Sequence, residues 1–121
     1  MLAEWIVRIA TATIIAGSVT YYAPGVMERV YTNRLSWNHV EPCEECIGMI
    51  AVLDREHIGK RAWLQRPGAP IEGPYLIVDC SAAEDLPRHR RNGKVAEVDW
   101  QTAQRWRMRG PLDAITLIIE R

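Results

Sequence analysis

Apolar residues occur along this chain in short runs that Gly and Pro residues interrupt at frequent intervals. Residues 75–78 are apolar without a break, which is typical of a strand that is buried on both faces. Residues 94–100 alternate instead, but Val95 and Val98 are out of phase, which indicates a β-bulge. Such runs predict strands over 16–22, 61–65, 75–80, 94–100 and 114–119, while the run 47–53 fits a helix or a strand.

Two further segments have a helical spacing of apolar residues. Residues 26–35 predict a helical turn or two, and residues 102–108 predict a short helix for which Asp99 or Thr102 is the N-cap. The polar and basic segment 81–92 predicts a loop. Several short strands with one or two short helices favour a small, mainly β barrel, because closure of the sheet removes its exposed edges.

Length and charge narrow the class of protein. A chain of 121 residues has the length of a single domain. Its 15 Lys and Arg residues balance its 15 Asp and Glu residues, so no global positive field would attract a nucleic acid. We therefore expect no nucleic-acid partner, and no motif in the sequence calls for a cofactor.

The N-terminal residues 1–16 allow several interpretations. From Ile6 onward they are mostly apolar or small, with Arg8 as the charged exception. Glu4 and an uncharged core of about ten residues make a poor signal peptide, and the segment is shorter than the roughly 20 apolar residues of a membrane span. We expect a degenerate export signal, an anchor to a membrane or assembly, or a packed helix or strand, followed by a barrel domain over 17–121.

Three cysteines, Cys43, Cys46 and Cys80, leave their chemistry open. A disulfide from Cys43 or Cys46 to Cys80 would close a loop of about 35 residues and stabilise the fold by about 3–4 kcal/mol. Reduced thiols are a second interpretation. Zinc is a third, although no metal ligand is assigned, because a fourth ligand would have to come from His39, His57 or His89.

Four segments carry a family resemblance. Gly17–Tyr22 looks like an opening strand of the type Gly-x-Ala-Thr/Ser-Tyr/Trp-Tyr, and Ala51 with residues 58–64 is similar to an Ala…Leu-Pro-x-Gly-Thr-x-Val-x-Val stretch. Gly73–Asp79 resembles a strand that ends in Asp, and Glu97–Ala103 resembles an Asp that leads into a short helix. In this order they resemble the double-psi β-barrel proteins of the rare lipoprotein A, expansin and barwin group. The resemblance implies a six-stranded double-psi β-barrel.

The sequence also departs from that group. Trp100-Gln101 stands where the family has Leu-Ser, and the His that expansins place before the Asp has no counterpart. Residues 26–29 replace the Thr-Ala-x-Gly that follows the first strand. The scaffold therefore carries over better than the active site.

The resemblance implies a carbohydrate site. Asp99 matches the family's general acid, which protonates a glycosidic oxygen, and Glu97 would share its strand face about 7 Å away. Asp79 would be the second carboxylate, which positions a water molecule. Thr20 and Tyr22 would line the groove, with Tyr22 as a stacking platform. Plainer roles compete with these: a helix cap for Asp99, hydrogen bonds to backbone amides for Asp79, and a half-buried strand aromatic for Tyr22.

We therefore expect an extracytoplasmic barrel that binds a cell-wall or surface polysaccharide, with weak or absent lytic activity. The basic residues 88–94 could hold an anionic glycan or phosphate, or they could be a solvated loop. The alternative is a non-catalytic structural subunit of a membrane or surface assembly, contacted through residues 1–16. A third possibility, an intracellular domain stabilised by a bound metal, applies only if the cysteines bind zinc.

Overall fold

The strands close into a barrel, in which each strand is hydrogen-bonded to two others. The structure is a computed structural model that describes residues 12–121. Around the barrel the order is β1-β5-β2-β4-β3-β6, and β6 returns to β1. The strands are β1 (Thr13–Tyr21), β2 (Gly48–Val52), β3 (Arg61–Gln65), β4 (Glu72–Cys80), β5 (Lys94–Val98) and β6 (Leu112–Ile119). The helices are α1 (Val26–Ser36), α2 (Leu86–Arg91) and α3 (Trp100–Arg105), with a 3-10 turn at Arg55–His57.

The pairing of the strands is mixed. β1 with β5 and β2 with β4 run parallel, and the other four neighbours run antiparallel. The predicted mainly β fold, a small closed barrel of six strands, is confirmed. The described residues contain three short helices rather than one or two, because α2 lies within the segment 81–92 that was predicted as a loop.

β4 shows why its sequence is an unbroken apolar run. Tyr75 and Ile77 point into the barrel interior, where they join the main core. Leu76 and Val78 point outward and are covered by α1, whose Met27 is fully buried against them. Both faces of the strand are therefore dry, as the sequence predicts.

β5 contains the irregularity that its sequence indicates. Ser18 of β1 pairs with Lys94, but the next residue, Val19, pairs with Ala96, so Val95 is the extra residue in β5. This bulge lets Val95, Ala96 and Val98 all be buried in one strand, which strict alternation would not allow.

The start of the barrel corrects the domain boundary drawn from the sequence. β1 begins at Thr13, where it pairs with Ile119 of β6, so residues 13–16 belong to the barrel and not to a separate N-terminal segment. The interpretations of residues 1–11 lie outside the described residues. Between residues 12 and 121, no helix combines the length and the apolar character that crossing a membrane requires.

The disulfide differs from the predicted pairing. Cys43 and Cys46 are bonded to each other, and Cys80 is a free cysteine at the end of β4. The predicted bond from Cys43 or Cys46 to Cys80 is therefore wrong. The observed bond closes a short turn before β2 and does not connect the loop to the distant end of β4.

Candidate functional site

A cavity of about 400 Å³ lies where β4 and β5 meet α2. Tyr22, which directly follows β1, forms part of its wall, and we call it the Tyr22 cavity. Exposed Arg88 on α2 places one side of it at the protein surface. Its titratable and hydroxyl-bearing side chains are Tyr22, Asp79, Cys80, Ser81, Asp85, Arg88, His89, Lys94 and Glu97.

Asp79 is held by two side chains from other elements. The Tyr22 hydroxyl donates to Asp79 Oδ2 at 2.6 Å, and Arg34 Nη2 donates to Asp79 Oδ1 at 3.3 Å. Arg34 is itself buried on α1, where its Nε donates to the Val78 carbonyl at 3.1 Å and its Nη1 lies 2.9 Å from His39 Nδ1. Because each group is fixed by another, the Asp79 carboxylate has a defined direction at the cavity wall.

Tyr22 is a hydrogen-bond donor and not an ionised group. Burial of its ring raises the pKa of Tyr22 far above its ordinary value, and the hydrogen bond to Asp79 raises it further. The negative charges of Asp79 and Glu97 act in the same direction. The hydroxyl therefore stays protonated over the whole physiological range of pH.

The charged groups of the cavity are paired. Glu97 accepts from Lys94 on the same strand, and Asp85 accepts from Arg88 at 3.1 Å. The third carboxylate of the wall, Asp79, is paired with Arg34, which lies behind it and outside the cavity lining. The arrangement provides donors and acceptors side by side without a surplus of either charge.

Asp99 does not line this cavity. It is 3% exposed, and its carboxylate is an N-cap: Oδ1 accepts from the Thr102 amide and Oδ2 accepts from the Met49 amide, both at 2.8 Å. The cap role considered from the sequence is confirmed. Asp99 therefore does not share this cavity with Asp79, because β5 ends at Val98 and the chain turns into α3 before Asp99 could continue along the Glu97 face.

Gly48 makes room for this cap. A Cβ atom at position 48 would lie 2.8 Å from Asp99 Oδ2 and 2.9 Å from the Tyr75 ring. Any side chain there would displace the carboxylate from the Met49 amide. Glycine at this position therefore serves the close approach of β2 to the start of α3.

Thr20 is the other predicted binding residue that the structure separates from the cavity. It lies on β1 opposite Glu97 of β5, but its hydroxyl is buried and has no hydrogen-bond partner in the described part of the chain. Of the five predicted site residues, the structure brings Tyr22, Asp79 and Glu97 together. Thr20 and Asp99 lie outside the wall that these three form.

Several residues that line the cavity or support its wall were missed from the sequence. Arg34 lies within the predicted helix 26–35, and its burial depends on the packing of α1 on β4, for which the sequence carries no signal. Ser81 and His89 lie in the segment predicted as a loop, and their side chains are 2.8 Å apart. The basic composition of residues 88–94 predicted cationic side chains in this segment, but not the contact between Ser81 and His89.

The zinc interpretation of the cysteines is also overturned. Cys43 and Cys46 form a disulfide and so offer no thiolate to a metal, and His39 contacts Arg34 instead of a thiol. Within residues 12–121, the group that could bring three metal-ligating atoms together is Asp54, Glu56 and His57, whose ligand atoms lie within 4.8 Å of one another. Arg90 donates to Asp54 at 2.6 Å there, so a cationic side chain already occupies one of the carboxylates.

Comparisons with protein-family models, with curated proteins and with solved structures found no match to this chain.

Proposed function

We propose that this barrel binds a polysaccharide of the cell wall or surface, outside the cytoplasm, in the Tyr22 cavity. The observation that carries the proposal is the paired wall, in which each of three carboxylates has a cationic partner and one also accepts from a tyrosine hydroxyl. Sugar hydroxyl groups both donate and accept, so a wall of this kind can satisfy them on both counts. Because the wall has no surplus charge, a neutral sugar fits it better than an anionic one. The family resemblance of the strands to double-psi β-barrels points to the same class of ligand.

The same contacts favour binding over cleavage. A glycosidase needs a carboxyl group that donates a proton to the glycosidic oxygen. Asp79 and Glu97 both act as acceptors in ion pairs, and neither is arranged as a donor. Asp99 accepts two backbone amides in the interior. We therefore expect lytic activity to be weak or absent.

Retention on insoluble polysaccharides tests the proposal. Purified cell-wall glycan, cellulose and chitin would be incubated with the wild-type protein and with Tyr22→Phe and Glu97→Gln. Tyr22→Phe removes a hydroxyl contact and Glu97→Gln removes the negative charge opposite Lys94, and we expect each to lower the binding constant about tenfold, which corresponds to about 1.4 kcal/mol. Tyr31→Phe is the matched control, because Tyr31 lies on α1 outside the cavity lining.

Two results would contradict this function. If no polysaccharide retains the wild-type protein, the proposed ligand class is wrong. If Tyr22→Phe and Glu97→Gln bind as the wild type does, the ligand binds elsewhere. Release of reducing ends from the retained glycan, measured in parallel, would contradict the preference for binding over cleavage.

A structural role in a membrane or surface assembly is the second candidate. It is supported by Ile14 and Ile15 at the start of β1, which are 57% and 41% exposed although both are large and apolar. The double variant Ile14→Ser/Ile15→Ser should then weaken sedimentation with membranes or with the assembly while retention on polysaccharide is unchanged. If the double variant sediments as the wild type does, this second role is contradicted.

The Cys43–Cys46 disulfide supports a location in an oxidising compartment. Trypsin cleaves after Arg34 and Arg55, so both cysteines fall in one peptide, residues 35–55. In protein isolated and denatured under an alkylating agent, this peptide should be lighter by two hydrogen atoms than after reduction, and Cys80 should be alkylated once unfolding exposes it. Alkylation of Cys43 and Cys46 without prior reduction would contradict the extracytoplasmic location.

A further inference from the structure

Ser81 and His89 meet at the wall of the Tyr22 cavity. Ser81 directly follows β4, and His89 lies on α2. The Ser81 Oγ and His89 Nδ1 atoms are 2.8 Å apart, and both residues line the cavity. A hydroxyl at this distance from an imidazole nitrogen, beside a space of about 400 Å³, is the arrangement of a nucleophile and its base.

The imidazole is in the state that such a base requires. Burial lowers the pKa of His89 below its ordinary value of 6.5, and the positive charges of Lys94 and Arg88 lower it further. Asp85 and Glu97 oppose this effect, but the net direction is down. At neutral pH the ring is therefore uncharged, and in the tautomer with its proton on Nε2 the Nδ1 atom accepts the serine proton.

Cys80, the neighbouring nucleophilic group of the cavity, is less suited to attack. Burial raises the pKa of its thiol, and the charge of Asp79 raises it further. A thiol reacts as the thiolate, so Cys80 is poorly reactive at neutral pH. Ser81 has a base in contact, and no base contacts Cys80 among the described hydrogen bonds.

We propose that Ser81 and His89 form a nucleophile–base pair that hydrolyses acyl esters, with O-acyl groups on the bound polysaccharide as the substrate class. Ser81 Oγ attacks the carbonyl carbon while its proton passes to His89 Nδ1. The alcohol then leaves with that proton, and Ser81 carries the acyl group. Water attacks the acyl-serine and gives its proton to His89, which passes it to Ser81 Oγ as the carboxylic acid leaves, so both side chains are restored.

The identity of the alcohol as a sugar hydroxyl rests on the proposed function, whereas the chemistry of the pair does not. A fluorophosphonate probe, which loses fluoride and phosphonylates activated serines irreversibly, separates the two. We expect the wild type to be labelled at Ser81, Ser81→Ala to show no labelling, and His89→Gln to react at least about 100-fold more slowly. Glutamine retains a hydrogen-bonding group beside Ser81, so this variant keeps a structural contact and loses the base.

Two further variants check the assignment of the label. Cys80→Ala should still be labelled, which excludes the thiol, and Ser36→Ala should react as the wild type does, because Ser36 is exposed on α1. The labelling rate should increase with pH as His89 loses its proton. Because the pKa of His89 is lowered, the rate should reach its plateau at a lower pH than it would with an ordinary histidine as the base. Hydrolysis of p-nitrophenyl acetate should follow the same order of variants.

The outcomes are distinct. Labelling of the wild type without retention on any polysaccharide would support the pair and contradict the glycan proposal. Retention without labelling would overturn the pair and leave glycan binding in place. Equal labelling of the wild type and Ser81→Ala, or a rate that is unchanged in His89→Gln, would also overturn it and would assign the Ser81–His89 contact a structural role.

Discussion

Asp99 and Asp79 are both acids at the ends of barrel strands, yet the protein uses them in opposite ways. Asp99 directs its two carboxylate oxygens at backbone amides, those of Thr102 and Met49, and is almost fully buried. Asp79 directs its oxygens at the side chains of Tyr22 and Arg34 and lines a cavity. The first acid connects α3 to β2, and the second belongs to a wall that a ligand can reach.

The hydrogen-bond partners of a carboxylate distinguish an acid that stabilises the fold from one that faces a ligand site. Backbone amides are fixed by the fold, so a buried carboxylate that accepts from them contributes to stability and is not available to a ligand. Side-chain partners such as Tyr22 and Arg34 can exchange their contacts when a ligand arrives. Removal of the first acid should therefore change stability, and removal of the second should change binding.

The largest expected effect is that of Asp99→Ala. The variant loses the N-cap of α3 and leaves the Met49 amide without its acceptor, and together these cost about 3 kcal/mol. Urea denaturation of the variant and of the wild type measures the change in the free energy of unfolding. Asp113→Ala, at an exposed position on β6, is the control and should change it little. A loss at Asp99 as small as that of the control would contradict the structural role.

Gly48→Ala should destabilise by about 2 kcal/mol, because the added methyl group meets Asp99 Oδ2 and the Tyr75 ring below 3.0 Å. Gly110→Ala is a matched control, since a Cβ atom there meets nothing within 4 Å. Thermal unfolding of the two variants should separate them by several degrees. Equal melting temperatures would mean that β2 can move away from α3 at no cost.

Asp79→Asn should cost less stability, about 1 kcal/mol, although it leaves the buried Arg34 without its carboxylate. Asparagine can still accept from Tyr22, so the main loss is the charge opposite Arg34. Retention on polysaccharide should fall about tenfold in the same variant. A variant that unfolds as easily as Asp99→Ala but binds normally would reverse the comparison between the two acids.

The sequence predicted the barrel better than it predicted the site. The β4 run and the bulge at Val95 are visible because burial and strand period are local properties of the chain. The cap role of Asp99 is also local, since Thr102 lies three residues away. Arg34 and Tyr22, by contrast, reach Asp79 from positions 45 and 57 residues away in the chain. No local pattern records such a meeting, so the composition of the cavity required the tertiary structure.

Glu72 offers the smallest and most specific test of the region around α3. Burial alone would raise the pKa of Glu72, but hydrogen bonds from Tyr75 and Trp106 and the charge of Arg105 lower it below the ordinary value of 4.5. The folded state therefore binds this proton less readily than the unfolded state. Its contribution is fully present above about pH 4.5 and is lost as the pH falls through the lower pKa of the folded protein.

Glu72→Gln removes this titration. Its free energy of unfolding should therefore fall less between pH 5 and pH 3 than that of the wild type, by about 1 kcal/mol or less. Urea denaturation at a series of pH values measures the two slopes. Glu44→Gln, an exposed residue of the disulfide turn, should keep the slope of the wild type. If Glu72→Gln keeps that slope as well, the Tyr75 and Trp106 contacts do not stabilise the carboxylate.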